Sequence, residues 1–446
     1  MKRIYSLIAA AILLVVTTSA QAQESWSLQK CIDYALQNNI QIKQQVLNSE
    51  YYNNQLGQAK NNRLPNLNAG FQNNMSFGRT LGADNTYLDI NSNSTSGNLS
   101  SNITLWSGFT LKNSVKMAEM DLRSTLEDMQ KAKDDMMLNI AASYLEILFA
   151  NELVTVAEDL LKITQLQIDR TGKLVEAGSL AKGSLLEIEA QYAREELNVV
   201  NAQNRLQLAY LALYQLLELP STESFKIEKP VLPEIGANMS LMNTMDVFKN
   251  AVQIRPAVKG AEFKLESARK QLLIAKGNLM PTLSFGGNYY NFYNNQYMNY
   301  QTGTKITLGD QLKSNERYGF GLTLNIPIFN RFQGRTGVNN SQIQVENVEL
   351  QLQNTKNLLR KDIEQAYTNA IAAFKRYVAN QKAVISSKEA FRYTEEKFNV
   401  GMINSVEYNQ SKNNLSTAQS DLLQAKYEYI FRTKILDFYN GQTIQL

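Results

Sequence analysis

The chain repeats itself at a nearly constant distance, and that constrains its fold more than any other feature. Arg63-Leu64-Pro65-Asn66-Leu67 matches Leu279-Met280-Pro281-Thr282-Leu283, 216 residues later, and Leu105-Trp106-Ser107-Gly108-Phe109 matches Ile328-Phe329-Asn330-Arg331-Phe332 at an offset of 223. At the second offset Ile140 meets Ile363, Tyr144 meets Tyr367 and Gly178 meets Gly401. The change of offset places a seven-residue insertion in the second copy. Two copies of one unit are expected, over 23–219 and 241–446. The segment 220–240, with Pro220, Pro230 and Pro233, joins them as a linker.

Each copy alternates between two periodicities. Residues 111–177 and 333–400 are nearly free of Gly and Pro and rich in Ala, Leu, Gln, Glu and Lys. Met129, Met136, Ile140, Ile147, Ala150 and Val154 recur at three-, four- and seven-residue steps, and Leu352, Leu359, Ile363, Ala370, Ala373 and Tyr377 keep that register. This is the seam of a coiled coil or long bundle, made of side chains that pack rather than react. A helix of about 67 residues extends about 100 Å at roughly 1.5 Å per residue. Such a helix reverses where a C-terminal glycine leaves helical geometry cheaply, so Gly178 and Gly401 mark hairpin tips. Return helices are expected to about Leu219 and Tyr439, and leading helices over 25–62 and 241–278.

Between these helices the period is two. Leu67, Ala69, Phe71, Met75 and Phe77 alternate with Asn, Gly, Gln and Ser, and Tyr318, Phe320, Leu322, Leu324 and Ile326 alternate with Gly, Thr and Asn. Leu99, Ile103 and Leu105 form a weaker third run, and Leu283, Phe285, Tyr289 and Tyr293 a fourth. Two strands are thus expected in each copy, about 66–107 and 282–327. Runs of about ten residues with one apolar and one uncharged polar face match tilted membrane strands. Tyr289, Tyr290, Tyr293, Tyr297 and Tyr300 cluster as an interfacial aromatic girdle does. Pro65 and Pro281 suit helix-to-strand junctions, because proline removes a donor and disfavours helix in the residue before it. Four strands cannot close a transmembrane barrel, which begins at about eight, and open edges in lipid leave backbone groups unsatisfied. Several chains must each contribute a sheet. A trimer supplies twelve strands, but closure alone does not choose the number of chains.

The N-terminus reads as an export signal over 1–22: Lys2 and Arg3, an apolar run from Leu7 to Val16, then Ala20-Gln21-Ala22 before Gln23. No later stretch is expected to form a membrane helix. Cys31 falls in a helical apolar stripe with Leu28, Ile32, Ala35 and Leu36 and is expected in the core. The chain has no His, which removes imidazole-based nucleophiles, bases and the common zinc and iron sites. Paired carboxylates alone remain possible as a hydrolase, but the acids are scattered along the seams. No cofactor or metal site is expected. The 45 basic residues nearly balance 41 acidic ones, so nothing favours nucleic acid as a partner. With 81 Asn and Gln and only 19% charged residues, the polar surface suits a water-filled passage.

These landmarks resemble the TolC family of outer-membrane efflux channels over essentially the whole mature chain. The resemblance rests on Ala35-Leu36-Gln37-Asn38-Asn39, on the strand entries at Pro65 and Pro281, and on the tips Ala177-Gly178-Ser179-Leu180 and Phe398-Asn399-Val400-Gly401-Met402-Ile403. It implies an α+β membrane protein of the cell outer membrane: a homotrimer with a twelve-stranded barrel and a coiled-coil helical tunnel through the periplasm. It implies that Gly178, Ser179, Leu180, Val400, Gly401 and Met402 meet a periplasmic adaptor protein, which couples the channel to an inner-membrane pump. Glu407 and Gln410 occupy the positions where the enteric relative carries two acidic residues around the tunnel mouth. Three copies of Glu407 would form a single carboxylate ring; the alternative is a solvated glutamate on a helix face. The relative's polar lock does not carry over, because Phe398, Ile403 and Ser184 stand in its place. The function implied is a passive exit duct, not an enzyme, for efflux of small toxic compounds or type I secretion of polypeptides. The rival reading is a structural or adhesive coiled-coil envelope protein, which needs no duplication.

Overall fold

The computed structural model describes residues 25–81, 85–219, 226–232, 235–236, 242–299 and 301–445. The expected signal over 1–22 lies outside the described residues, as do Pro220, Pro233 and Tyr300. Strand β1 (Ser25–Trp26) precedes helices α1 (Leu28–Asn38) and α2 (Ile40–Asn61). Strands β2 (Asn68–Ser76), β3 (Arg79–Leu81), β4 (Tyr87–Asp89) and β5 (Ser92–Trp106) lead to helices α3 (Thr110–Glu176) and α4 (Lys182–Leu217). After β6 (Lys226–Ile227) come α5 (Thr244–Ile254), α6 (Pro256–Gly277), β7 (Thr282–Asn294), α7 (Leu308–Ser314) and β8 (Arg317–Asn325). Helices α8 (Gln333–Asn399) and α9 (Ser405–Tyr439) complete the chain. Helices α3 and α8 each have 67 residues. The chain divides into two compact units, one built from Asn48–Leu126 and Gly260–Asn354, the other from the remaining segments.

The first unit holds an antiparallel sheet in the order β2-β5-β7-β8. Strands β5 and β7 run 15 and 13 residues, longer than the ten their periodicity implies. The register puts Ala69, Leu99, Tyr289 and Tyr318 in one row and Ile103, Phe285 and Leu322 in another. The face of these rows also carries Phe71, Met75, Leu283, Tyr293, Phe320 and Leu324, with Asn73, Thr95, Ser101 and Asn291 between them, while the other carries chiefly Gly, Ser, Thr, Asn and Gln together with Tyr290, Phe292 and Arg317. Among the described residues nothing covers the apolar face at its edges, where Phe71 is 80% and Phe320 77% exposed. The seven-residue change of offset falls in the connections between paired strands, which run over 77–91 and 295–316.

Strand-to-helix junctions in this unit turn through two consecutive left-handed residues, Gly108 and Phe109 before α3, and Arg331 and Phe332 before α8. Thr110 N–H donates to Ser107 at 3.1 Å and Gln333 N–H to Asn330 at 3.0 Å, closing each turn. Gly108 packs directly on Gly277, where α6 ends. A Cβ on Gly277 would sit 2.6 Å from the Gly108 carbonyl oxygen and 2.7 Å from Thr110 Cγ2.

In the second unit the expected leading helices are each broken, at Asn39 and at Arg255, whose ψ values of 133° and 129° are extended. Pro256 disfavours helix at Arg255. Asn39 caps α2 instead, its Oδ1 accepting from Gln41 N–H at 2.8 Å and Ile42 N–H at 3.4 Å. Both residues then reach the end of a return helix: Asn39 Nδ2 donates to the Leu216 carbonyl at 3.0 Å, and the Arg255 guanidinium donates to the Phe438 carbonyl. Arg255 also pairs with Asp134 at 3.2 Å and lies 4.0 Å from the Phe438 ring centroid. Burial pushes the Arg255 pKa down and that of Asp134 up, so desolvation outweighs their mutual attraction.

The core of this unit gathers Ile140, Tyr144, Ile147 and Leu148 of α3 against Cys31, Leu213 and Leu217, with Tyr427 and Phe438. Cys31 is fully buried, and desolvation lifts its thiol to about 12, so it packs and does not react. An 18-residue stretch of α3 is apolar enough to cross a membrane by length and composition alone, but half of it is buried in the unit, as in a core helix. The seam residues Met136, Ile140, Ile147, Ala150, Val154, Leu359, Ile363, Ala370 and Ala373 are buried. The described part of the expected linker is tied down: β6 pairs in parallel with β1, and the Tyr144 hydroxyl lies 2.7 Å from the Glu228 carbonyl.

Lys412 of α9 is only 1% exposed, and its ammonium donates to both Glu195 carboxylate oxygens, at 2.7 and 2.9 Å. It also donates to Thr164 and, at 3.0 Å, to the Leu160 carbonyl, so one cation joins α3, α4 and α9. Gln191 adds a bond to Glu195 at 3.0 Å. Burial lowers the Lys412 pKa, and the Glu195 hydrogen bond and charge oppose that shift.

Two stability predictions follow from these contacts. Gly277→Ala should lower unfolding stability by about 1–3 kcal/mol through backbone overpacking. Gly57→Ala, in open space on α2, should be neutral or stabilise by up to about 1 kcal/mol; equal melting temperatures for the two variants would refute the close-approach argument. Lys412→Met strands a buried carboxylate and should cost about 3–5 kcal/mol, whereas Lys412→Met with Glu195→Leu should recover most of it. Denaturant titration of the single and double variants checks this, and a double variant no better than the single one would contradict it.

Candidate functional site at the helix tips

Both long helices end in the same hydrogen-bonded reversal. Gly178 has φ +73°; its N–H donates to the Val175 carbonyl at 3.0 Å, and the Ser179 N–H reaches Leu174 at 2.8 Å. Gly401 has φ +77°; its N–H donates to Phe398 at 3.1 Å, and the Met402 N–H reaches Lys397 at 2.9 Å. This pair of bonds is the Schellman motif, which satisfies the last helical carbonyls and needs a left-handed residue at the glycine position. Helix α9 then starts at once, with Asn404 Oδ1 accepting from Glu407 N–H at 2.9 Å. Helix α4 starts behind Ala181 with no side-chain cap.

The tips pack against each other just behind these turns. Phe398 stacks on Tyr408 with ring centroids 4.8 Å apart, and Phe391, Ile188 and Leu415 close the cluster, with Ile168 and Ile403 against it. Two of the three residues at the relative's lock positions, Phe398 and Ile403, thus contribute apolar packing. Ser405 donates to Glu187, joining α9 to α4. Burial raises the Tyr408 pKa, keeping its hydroxyl neutral. In front of this cluster Val400 and Met402 are 70% and 72% exposed, Gly178, Ser179 and Gly401 are exposed, and Leu180 is half-buried.

Glu407 and Gln410 stand one turn apart on α9, both exposed, three positions apart and so on one face. Glu407 lies in the first turn, where a carboxylate complements the helix dipole. Gln410 Nε2 donates to Asn414 at 3.1 Å and faces a polar groove between α4 and α9 that Glu187, Arg194, Asn409 and Asn413 also line. Pro65 and Pro281 lie in the sheet unit; Pro281 directly precedes β7, and Pro65 stands three residues before β2. Among the described residues no group of three or more His, Cys, Asp or Glu is placed to hold a metal ion.

Sequence reasoning missed the Lys412–Glu195 contact behind the tips. A signal existed: Lys412 falls four residues after Tyr408 and three before Leu415, on the buried stripe of its helix. Only the approach of α3 and α4 supplies its partners.

The family model described as outer membrane efflux protein matches residues 31–218 and 247–438, nearly the whole described chain. Toxin and drug export protein A of Aggregatibacter actinomycetemcomitans is 23% identical over 342 residues, covering 75% of this chain and 69% of that protein. Outer membrane protein TolC of Escherichia coli K12 is 23% identical over 372 residues, covering 78% and 71%. Among solved structures, the channel-forming protein CusC superposes with a TM-score of 0.78 at 18% identity, over 93% of this chain and 92% of that one. That likeness speaks to the fold, and the family match extends over both halves of the duplicated sequence. The chain belongs to the outer membrane efflux protein family.

Proposed function

We propose that this chain is the passive exit duct of a tripartite efflux or type I secretion system, acting as a homotrimer in the outer membrane and reaching into the periplasm. Each copy contributes one duplicated unit pair and four strands, β2, β5, β7 and β8, to a twelve-stranded barrel. The long hairpins of three copies form the tunnel. The tips at Gly178, Ser179, Leu180, Val400, Gly401 and Met402 dock a periplasmic adaptor, and through it an inner-membrane pump supplies the energy. Three copies of Glu407 ring the tunnel mouth and favour cations, with Gln410 beside them.

One observation carries this reading: a four-stranded sheet whose apolar face is uncovered and whose outer strands β2 and β8 lack a partner among the described residues. Lipid satisfies such a face, and neighbouring copies satisfy such edges. The mainly polar opposite face then lines water, and the family membership supports the exit-duct role.

Single-channel recording in planar bilayers tests it. The protein should give discrete conductance steps, and Glu407→Gln should reduce the cation-to-anion permeability ratio by about two-fold or more. Steps unchanged by that substitution would keep the duct and discard the ring. A variant lacking both tip turns, shown to fold and insert, should conduct continuously; silence from it would overturn the channel and favour an envelope scaffold.

A further inference from the structure

The two ends of the sheet differ in charge. The register brings the start of β2, the end of β5, the start of β7 and the end of β8 to one end. The segments entering and leaving there, 60–67, 106–115, 276–282 and 326–340, hold Lys60, Arg63, Lys112, Lys276, Arg331 and Arg335, and no Asp or Glu. All six side chains are exposed. Among the described residues none of the six forms an ion pair. At the other end, connections 77–91 and 295–316 hold three basic and four acidic residues. Like charges gathered without counter-charges repel, and interspersed acids relieve that only at the second end.

Aromatic rings accompany the cations. Trp106 and Phe109 meet edge-on at 6.4 Å, and Phe329 and Phe332 at 5.6 Å. Phe109 and Phe332 are 60% and 62% exposed although each holds a left-handed backbone, at φ +64° and +62°. A bulky residue keeps such a conformation only when its surroundings require it, and among the described residues each ring meets one aromatic neighbour and stays largely uncovered. Exposed aromatic rings beside unpaired cations at the end of an apolar face match a membrane interface: rings at headgroup depth, cations on phosphates.

We propose that this end of the sheet is a docking belt for anionic phospholipid headgroups, Lys60, Arg63, Lys112, Lys276, Arg331 and Arg335 pairing with phosphate while Trp106, Phe109, Phe329 and Phe332 seat at the interface. The proposal rests on the reading of the sheet as membrane-spanning. It fixes the depth and tilt of the sheet by charge as well as by hydrophobic match, and it makes the insertion of this protein sensitive to the anionic lipid content of the membrane.

Trp106 is one of two tryptophans in the chain, so Trp26→Phe leaves it as the sole reporter. The full chain carrying that change is titrated in mixed micelles with brominated phosphatidylglycerol or brominated phosphatidylcholine, and quenching is read. The anionic lipid should quench Trp106 at about five-fold lower mole fraction, and the preference should vanish near 0.5 M salt. Replacing Lys60, Arg63, Arg331 and Arg335 together by Gln should remove the preference and leave quenching by phosphatidylcholine intact; the salt comparison needs no charge variant to fold. Equal quenching by both lipids at low salt overturns the belt and leaves the membrane-spanning reading standing. Absence of quenching by either lipid overturns both.

Discussion

A β-sheet with one apolar face and two open edges is stable only where something else meets the face and pairs the edges, and that requirement governs the sheet unit. Phe71 and Phe320 stand about four-fifths exposed on edge strands β2 and β8. In water such a surface drives aggregation. In lipid the face is satisfied, but the edge N–H and C=O groups still require strand partners, which neighbouring copies supply in the trimer proposed above. The alternation of Phe, Leu and Tyr with Gly, Ser and Asn along each strand therefore carries both demands at once. Proposed trimer, water-filled lumen and exit-duct function all descend from it.

The helical unit answers a different constraint. A 67-residue helix offers a long seam and few ways to stop, and each reversal uses a glycine to satisfy terminal carbonyls that no continuing helix can reach. Apolar side chains dominate the seam from Met136 to Val154, and toward the tips buried Gln167, Thr171 and Gln191 join them. The Lys412–Glu195–Thr164 contact interrupts it close behind the tips. A buried ion pair is weak as a source of stability but strict in geometry, since each charge is costly without the other. That strictness sets the register of three helices at the place where the tips must be held together.

Both leading helices break where a polar side chain turns aside to bond a carbonyl at the end of a return helix. Asn39 does so by capping, while Arg255 does so because Pro256 forbids the helix to pass straight through. The two solutions use unlike residues at matching positions, so the broken helix serves the architecture rather than a chemical role. The same contrast appears at the strand-to-helix turns, where Gly108 and Arg331 both adopt the left-handed region and the glycine lets the end of α6 approach within contact distance.

Much of this was legible in the chain itself. The seams of α3 and α8, the glycines at 178 and 401 and the two-residue alternation of the strands are all local patterns, and local backbone preference and period decide them. Other features required the tertiary structure. The carbonyls that Asn39 and Arg255 reach, the pairing of β5 with β7, the tethering of β6 to β1 and the partners of Lys412 all depend on segments more than a hundred residues distant. Periodicity reports which face of an element is buried but not which element buries it. A lysine on an apolar stripe is therefore visible in sequence, while the carboxylate that makes its burial tolerable is supplied only when three helices meet.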